Sequence, residues 1–335
     1  MPTKKYNKSK VATNLVTSTR VSTNKAAKIC QQLSHDGIDI PTPSQAAIYK
    51  SIYKEASKLK EEMIETLQME QWSLHFDGKC IEYKEYQVVV LKNERTEVKL
   101  GALHLKDGKA KTITEGIAKL VDEYNLWNAI KMIIADTTSV NTGKCSGVVV
   151  CLKRMFSEKG FSQPQFISCQ HHVLDRILRL VMDQELGGNT TSPTRVFRFF
   201  DENGHFPCIN FQQIPNISNA RWNSRAILAL LAFILMPTTR TSLEKICRFI
   251  SCDWADYWFT DQMYNENDFK NLSERLKPYR KALNSLDNHW KQEPSILSLP
   301  QSNQCAERAV KVMLELYSAC KNKDKLPLRF ILSNK

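Results

Sequence analysis

Between residues 72 and 77 the chain reads Trp-Ser-Leu-His-Phe-Asp, with a large apolar side chain at every second place. A period of two puts Trp72, Leu74 and Phe76 on one face of an extended strand and Ser73, His75 and Asp77 on the other. Two further β-rich runs follow at residues 86–91 and 98–103, joined by a polar turn around Asn93, Glu94 and Arg95. Residues 112–127 have helical spacing. Residues 130–135 form a short, mostly apolar run, as a strand covered on both faces requires. A helix over about 144–158, a short strand at 166–168 and a helix over about 171–186 complete this half. Three adjacent strands, then helix, strand, helix and strand, predict an α/β fold. Its core is a mixed five-stranded sheet flanked by helices, with the first three strands as an antiparallel meander.

The flanks have a different character. Residues 1–28 carry Lys4, Lys5, Lys8, Lys10, Arg20, Lys25 and Lys28 and no acidic residue, against a net charge of +12 for the whole chain. Residues 1–40 therefore read as a basic, flexible leader that gains affinity for a polyanion by releasing its counterions. A merely solubilising tail is the other reading. Over 41–70, Ile48, Ile52, Ala56, Leu59, Met63 and Leu67 recur at helical spacing, and Thr42 with Pro43 offers a cap and a first turn. Residues 71–223 hold the sheet. From 224 to 300 nearly every periodic segment is helical, and 301–335 ends the chain with a further helix. The longest apolar run, 226–236, is too short to cross a bilayer, so no membrane is expected. No apolar signal core opens the chain, and the ten cysteines lack a disulfide-framework spacing, which predicts reduced thiols in the nucleus or cytosol.

Asp77 on the first strand and Asp136 at the end of the fourth can become neighbours in such a sheet. Two carboxylates on adjacent strands offer hard oxygen ligands to Mg²⁺ or Mn²⁺, and a third completes a two-metal clamp for phosphodiester attack. The plainer readings are that Asp77-Gly78 makes a hairpin turn and that Asp136 caps the next helix. A phosphate-binding loop at Asp136–Ser146 is excluded. Thr138 stands where a glycine is needed, and Cys145 follows Lys144 where Ser or Thr is needed.

Five stretches, in order, resemble the pattern of hAT-family (hobo/Activator-type) DNA transposases. Leu74-His75-Phe76-Asp77-Gly78 resembles the first-aspartate motif. Ile133 to Asn141, with Asp136-Thr137-Thr138-Ser139, resembles the second. Cys169-Gln170-His171-His172 is similar to the family's Cys-x-x-His signature, and Ala220-Arg221-Trp222-Asn223-Ser224 to its Arg-Trp motif. Gln304-Cys305-Ala306-Glu307-Arg308-Ala309 is similar to the segment that supplies the catalytic glutamate.

The resemblance implies an RNase H-like core with a helical insertion before its last helix. It implies Asp77, Asp136 and Glu307 as the catalytic and metal-binding triad, with Mg²⁺ or Mn²⁺ in a two-metal site. Cys169 and His172 would support the active site, and Arg221 and Trp222 would contact DNA together with Lys4, Lys5, Lys8 and Lys10. Alternative roles stand beside these. Glu307 can be an exposed helix residue paired with Lys311, Trp222 a core side chain, and Cys169 with His172 half of a zinc site, to which Cys247 and Cys252 come closest. The family's BED zinc finger cannot be built from the first seventy residues, which hold only Cys30 and His35, and 28 residues follow Glu307. A truncated or domesticated relative is therefore expected. Two functions follow. One is a nuclear enzyme that cleaves and transfers DNA strands; the other is a catalytically inactive, transposase-derived protein that binds DNA or protein. DNA is the expected partner, and further copies of the chain come second.

Overall fold

The computed structural model describes residues 10–19, 21–188, 224–235, 240–259, 266–289, 294–296 and 298–319. The chain divides into two units, residues 1–70 with 316–335 and residues 71–315.

In the first unit, α1 (Lys10–Thr19), α2 (Thr23–His35) and α3 (Gln45–Gln68) enclose a small core of Ala12, Ala26, Ala27, Cys30, Ile48 and Ile52. Within the basic stretch expected to be flexible, Lys10–Thr19 and Thr23–His35 are helical and contribute to this core. Ala26, Ala27 and Cys30 are small side chains at helical spacing, so they let helices approach closely while Lys25 and Lys28 stay exposed. Ser22 starts α2 by accepting a hydrogen bond from the Lys25 N–H at 3.3 Å. Ser44, not Thr42, caps α3, accepting from the Ala47 N–H at 3.2 Å. Lys4, Lys5 and Lys8 lie outside the described residues, and Lys10 is the first residue of α1.

The second unit is α/β. Its mixed sheet has five strands in the order β3-β2-β1-β4-β5: β1 (Trp72–Ile81), β2 (Lys84–Lys92), β3 (Glu97–Leu105), β4 (Ile130–Ala135) and β5 (Gln165–Ser168). The first three are antiparallel neighbours, and β4 and β5 continue from β1 in parallel. The first strand runs well past Asp77. Its turn to β2 is made by Glu82 and Tyr83, both left-handed at φ 49° and 63°, so Asp77-Gly78 is strand and not turn. Helix α4 (Ala110–Glu123) lies against β3, and Gly116 makes that approach possible. A Cβ there would stand 2.9 Å from the Leu105 side chain and 3.1 Å from that of Leu103.

After β4 the chain forms one short turn of helix, α5 (Ser139–Thr142), and then α6 (Val148–Glu158). The later start of α6, against the expected 144, follows from Gly143 and Gly147. A Cβ on Gly147 would stand 2.5 Å from the Gly143 nitrogen and 2.8 Å from the Asn141 carbonyl, so the backbone folds on itself there. Helix α7 (Gln170–Glu185) follows β5.

The helices of the 224–300 region are α8 (Ser224–Leu235), α9 (Arg240–Phe249), a π-helical turn at Ile250–Trp254, α10 (Ala255–Phe259), α11 (Glu266–Leu276) and α12 (Arg280–His289). They are structural partners of the sheet, since one buried cluster joins Met132 and Ile134 of β4, Ile167 of β5, the inner side of α7 and residues from α8 to α12. Trp254 donates its ring N–H to the Leu174 carbonyl at 3.0 Å, and Gln170 donates to the Tyr257 carbonyl at 2.7 Å. The last helix, α13 (Gln304–Ala319), belongs to this unit as far as Glu315. Among the described residues, no helix is long and apolar enough to cross a membrane.

Candidate active site

Strand register brings the sequence-distant acids to one end of the sheet. His75 pairs with Ile134, and Ala135 pairs with Ser168. Continued two residues further, that register sets Asp77 of β1 against Asp136, the residue that directly follows β4. One residue past Ser168 comes Cys169, whose N–H donates to the Ala135 carbonyl at 2.9 Å. Asp77, Asp136 and Cys169 thus form a row at the carboxyl ends of β4 and β5, where β1 parts from β4.

Asp136 is fixed by its own turn. Its Oδ1 accepts the Thr138 hydroxyl at 2.8 Å, the Thr138 N–H at 3.2 Å and the Asn141 side-chain amide. Thr138 occupies the N-cap position of α5 without a side-chain capping bond, its hydroxyl being given to Asp136, so Asp136 is not that helix's N-cap residue. Asp77 is partly buried, and its Oδ1 accepts the Gly78 N–H at 2.9 Å.

Glu307 comes from the first turn of α13. It is 5% exposed, which sets aside an exposed glutamate serving only Lys311. Asn303 holds that turn in place. Its side-chain amide donates to the Phe76 carbonyl at 3.0 Å, its N–H to the Cys169 sulfur at 3.2 Å, and its carbonyl accepts the Glu307 N–H at 3.1 Å. One residue therefore ties together the strand of Asp77, the turn of Cys169 and the helix of Glu307.

The electrostatics agree with this convergence. Burial first, and then the carboxylates of Glu307 and Asp136, push Asp77 up to about 6. His172 moves the other way for a base. Burial opposes its charge, but the Cys169 sulfur and the Glu307 and Asp136 carboxylates more than offset that and raise it to about 10. These neighbours favour the protonated ring beside the acids, and its Nδ1 is enclosed. His171, next to it, is structural: its Nε2 lies 3.1 Å from the Trp258 carbonyl and its ring packs on Trp258 at 4.4 Å.

Among the described residues, no group of three or more His, Cys, Asp or Glu side chains is arranged to hold a metal ion. The three carboxylates act on one another without closing into a coordination sphere. Cys169, Cys247 and Cys252 are free thiols; Cys247 is buried with its sulfur 3.5 Å from the Ala229 carbonyl, and Cys252 is exposed. Arg221 and Trp222 lie outside the described residues.

Two contributors were missing from the sequence reading. Asn303 precedes a helix, where Asn is a common cap, and that signal was available. His75 is wholly buried on the same face of β1 as Asp77, with its Nε2 2.7 Å from the Ser73 hydroxyl, which itself donates to the Lys92 carbonyl at 2.7 Å. Burial holds His75 down to about 3, while Asn303 beside its ring works against that lowering.

No family model matches the sequence, and no curated protein matches it either. Among solved structures, a chain described as "Drosophila P element transposase strand transfer complex" is similar at a TM-score of 0.47 and 12% identity. The match covers 98% of this chain and 92% of that chain.

Proposed function

We propose that this chain is a hAT-transposase-like nuclear protein whose RNase H-like core cleaves and transfers DNA strands through Asp77, Asp136 and Glu307. The observation that carries the reading is geometric. Strand register and the Asn303–Phe76 bond bring Asp77, Asp136 and Glu307, far apart in sequence, to one end of the sheet, near enough for Glu307 and Asp136 to push Asp77 upward. The strand order β3-β2-β1-β4-β5, with a late helix returning the glutamate, supports the RNase H-like assignment. The net charge of +12 suits a polyanionic substrate.

The donor set is three carboxylates, hard oxygen ligands suited to Mg²⁺ or Mn²⁺. Bound there, such ions would stabilise the attacking and leaving oxygens of a phosphodiester. The chain's own groups prepare the site for positive charge. Thr138 and Asn141 immobilise Asp136, and Asn303 ties the first turn of the Glu307 helix to the strand that carries Asp77. Asp77 is pushed up to about 6, so below this pH it would have to give up its proton to serve as a ligand. His172, whose protonated form the Cys169 sulfur and the two carboxylates favour, would reduce the mutual repulsion of the acids.

One observation favours a second reading. The carboxylates do not close into a metal-ready group among the described residues, as fits an inactive derivative that binds DNA or protein. Incubation of supercoiled plasmid with the protein and Mg²⁺ or Mn²⁺ separates the two. Nicking that Asp136→Ala abolishes supports the enzyme; intact plasmid with DNA binding preserved supports the derivative.

A further inference from the structure

Past Asp77, β1 leaves β4 and continues paired to β2, which β3 flanks as far as Glu85, and this ribbon ends at a tip made by Glu82 and Tyr83. The period of two sorts the side chains of this ribbon. Asp77, Lys79 and Ile81 share one face with their cross-strand partners Val88, Tyr86 and Lys84, while Gly78, Cys80 and Glu85 take the other. Register extends the first face onto β3, where Tyr86 pairs with His104 and the two rings stack at 5.1 Å. Lys79, Lys84 and His104 are exposed on the face that begins at Asp77, and the acidic Glu85 is on the opposite one.

The tip adds an aromatic. Tyr83 is fully exposed and sits at φ 63°, in a two-residue turn that Asn-Gly adopts without strain. A bare ring is thus held out beyond the end of the strand whose middle carries Asp77.

We propose that this ribbon is the surface that holds a single DNA strand as it leaves the acid cluster, with Lys79 and Lys84 on phosphates and Tyr83 stacked on an unpaired base. The proposal rests on the strand-transfer reading above. A track of positive charge beside an exposed aromatic is the recognition chemistry of single-stranded nucleic acid, since phosphates follow the lysines and every base offers a π-face to the ring. The ribbon also shares a strand with Asp77, so a chain gripped there is positioned relative to the acid by rigid backbone and not by a loop.

Binding of a labelled single-stranded oligonucleotide to the full chain, followed by fluorescence anisotropy in EDTA over a range of salt, tests this directly. The double variant Lys79→Glu with Lys84→Glu is expected to bind at least about tenfold more weakly. Its salt slope should fall by about 1.4, the value for two lost phosphate contacts on a single strand. Tyr83→Ala should lose about tenfold with the slope unchanged, as stacking carries no counterions. Lys111→Glu with Lys119→Glu, on α4, makes the same change in net charge and should stay within about twofold of the native protein. The proposal is overturned if the ribbon variants bind like the native chain, if the α4 pair loses as much, or if the native chain binds no single strand. EDTA keeps cleavage out of the measurement. Binding through the ribbon by a protein that never nicks plasmid would therefore remove the catalytic reading and leave this one standing.

Discussion

The side-chain amide of Asn303 donates to the carbonyl of Phe76 at 3.0 Å, one residue before Asp77 and four before Glu307. Through that single bond the glutamate's helix is registered on the aspartate's strand. The Asn303 N–H adds the Cys169 sulfur, so the three elements that build the acidic end of the sheet meet at one side chain.

Asn303→Ala removes the donor and leaves a buried carbonyl without it, a loss of about 1–3 kcal/mol of stability. The backbone bond to Cys169 survives the change. The expected outcome is a lower urea midpoint with an unchanged slope, together with weaker plasmid cleavage. Asn303→Asp, which keeps the shape and loses the donor, should fall with it.

Acid should destabilise the protein through His75. In the unfolded chain this ring takes a proton near its ordinary 6.5, whereas the folded protein refuses it until about 3. Its contribution is therefore complete above pH 6.5 and is lost as the pH falls toward 3, on the order of a few kcal/mol in all. Urea midpoints of the native protein measured between about pH 7 and pH 4 should drop more steeply than those of His75→Gln, which has no proton to gain there.

Asp77 acts in the opposite sense over part of the same range. Its folded value of about 6 lies above its ordinary 3.8, so the folded state holds the extra proton and stability falls as the pH rises through that interval. At neutral pH the ionised group is buried against two like charges. Asp77→Asn should then raise stability by about 1–3 kcal/mol near pH 7, and by little below pH 4. Thermal unfolding of the two proteins at both pH values checks the sign.

The ribbon tip holds two non-glycine residues in the left-handed region. Replacing Glu82 by Asn and Tyr83 by Gly supplies the residues this turn favours and should stabilise the protein by about 1–2 kcal/mol. If Tyr83 stacks on a base, the same variant is more stable and binds single-stranded DNA less well.

The sheet was legible because its strands follow a strict period. Residues 130–135 form β4 as expected from an apolar run, and Trp72 to Phe76 alternate as β1 requires. The β1–β2 turn was not legible, since Glu82-Tyr83 carries no turn signal while Asp77-Gly78 carries a strong one. Ala12, Ala26, Ala27 and Cys30 hid the N-terminal helices because small side chains give weak hydrophobic periodicity beside so many lysines. Of the site, the acids could be named from local motifs. Their supports could not, because His75 and Asn303 act through contacts that span 227 positions between Phe76 and Asn303.

The central claim is that Asp77, Asp136 and Glu307 work as one site, and plasmid nicking with Mn²⁺ by the native protein, each single amide variant and the triple variant tests it most directly. Residues that act as a unit are not additive, so Asp77→Asn, Asp136→Asn and Glu307→Gln should each lose about as much activity as the triple change. Cleavage that survives Glu307→Gln, single losses that multiply in the triple variant, or a native protein that never nicks would contradict it.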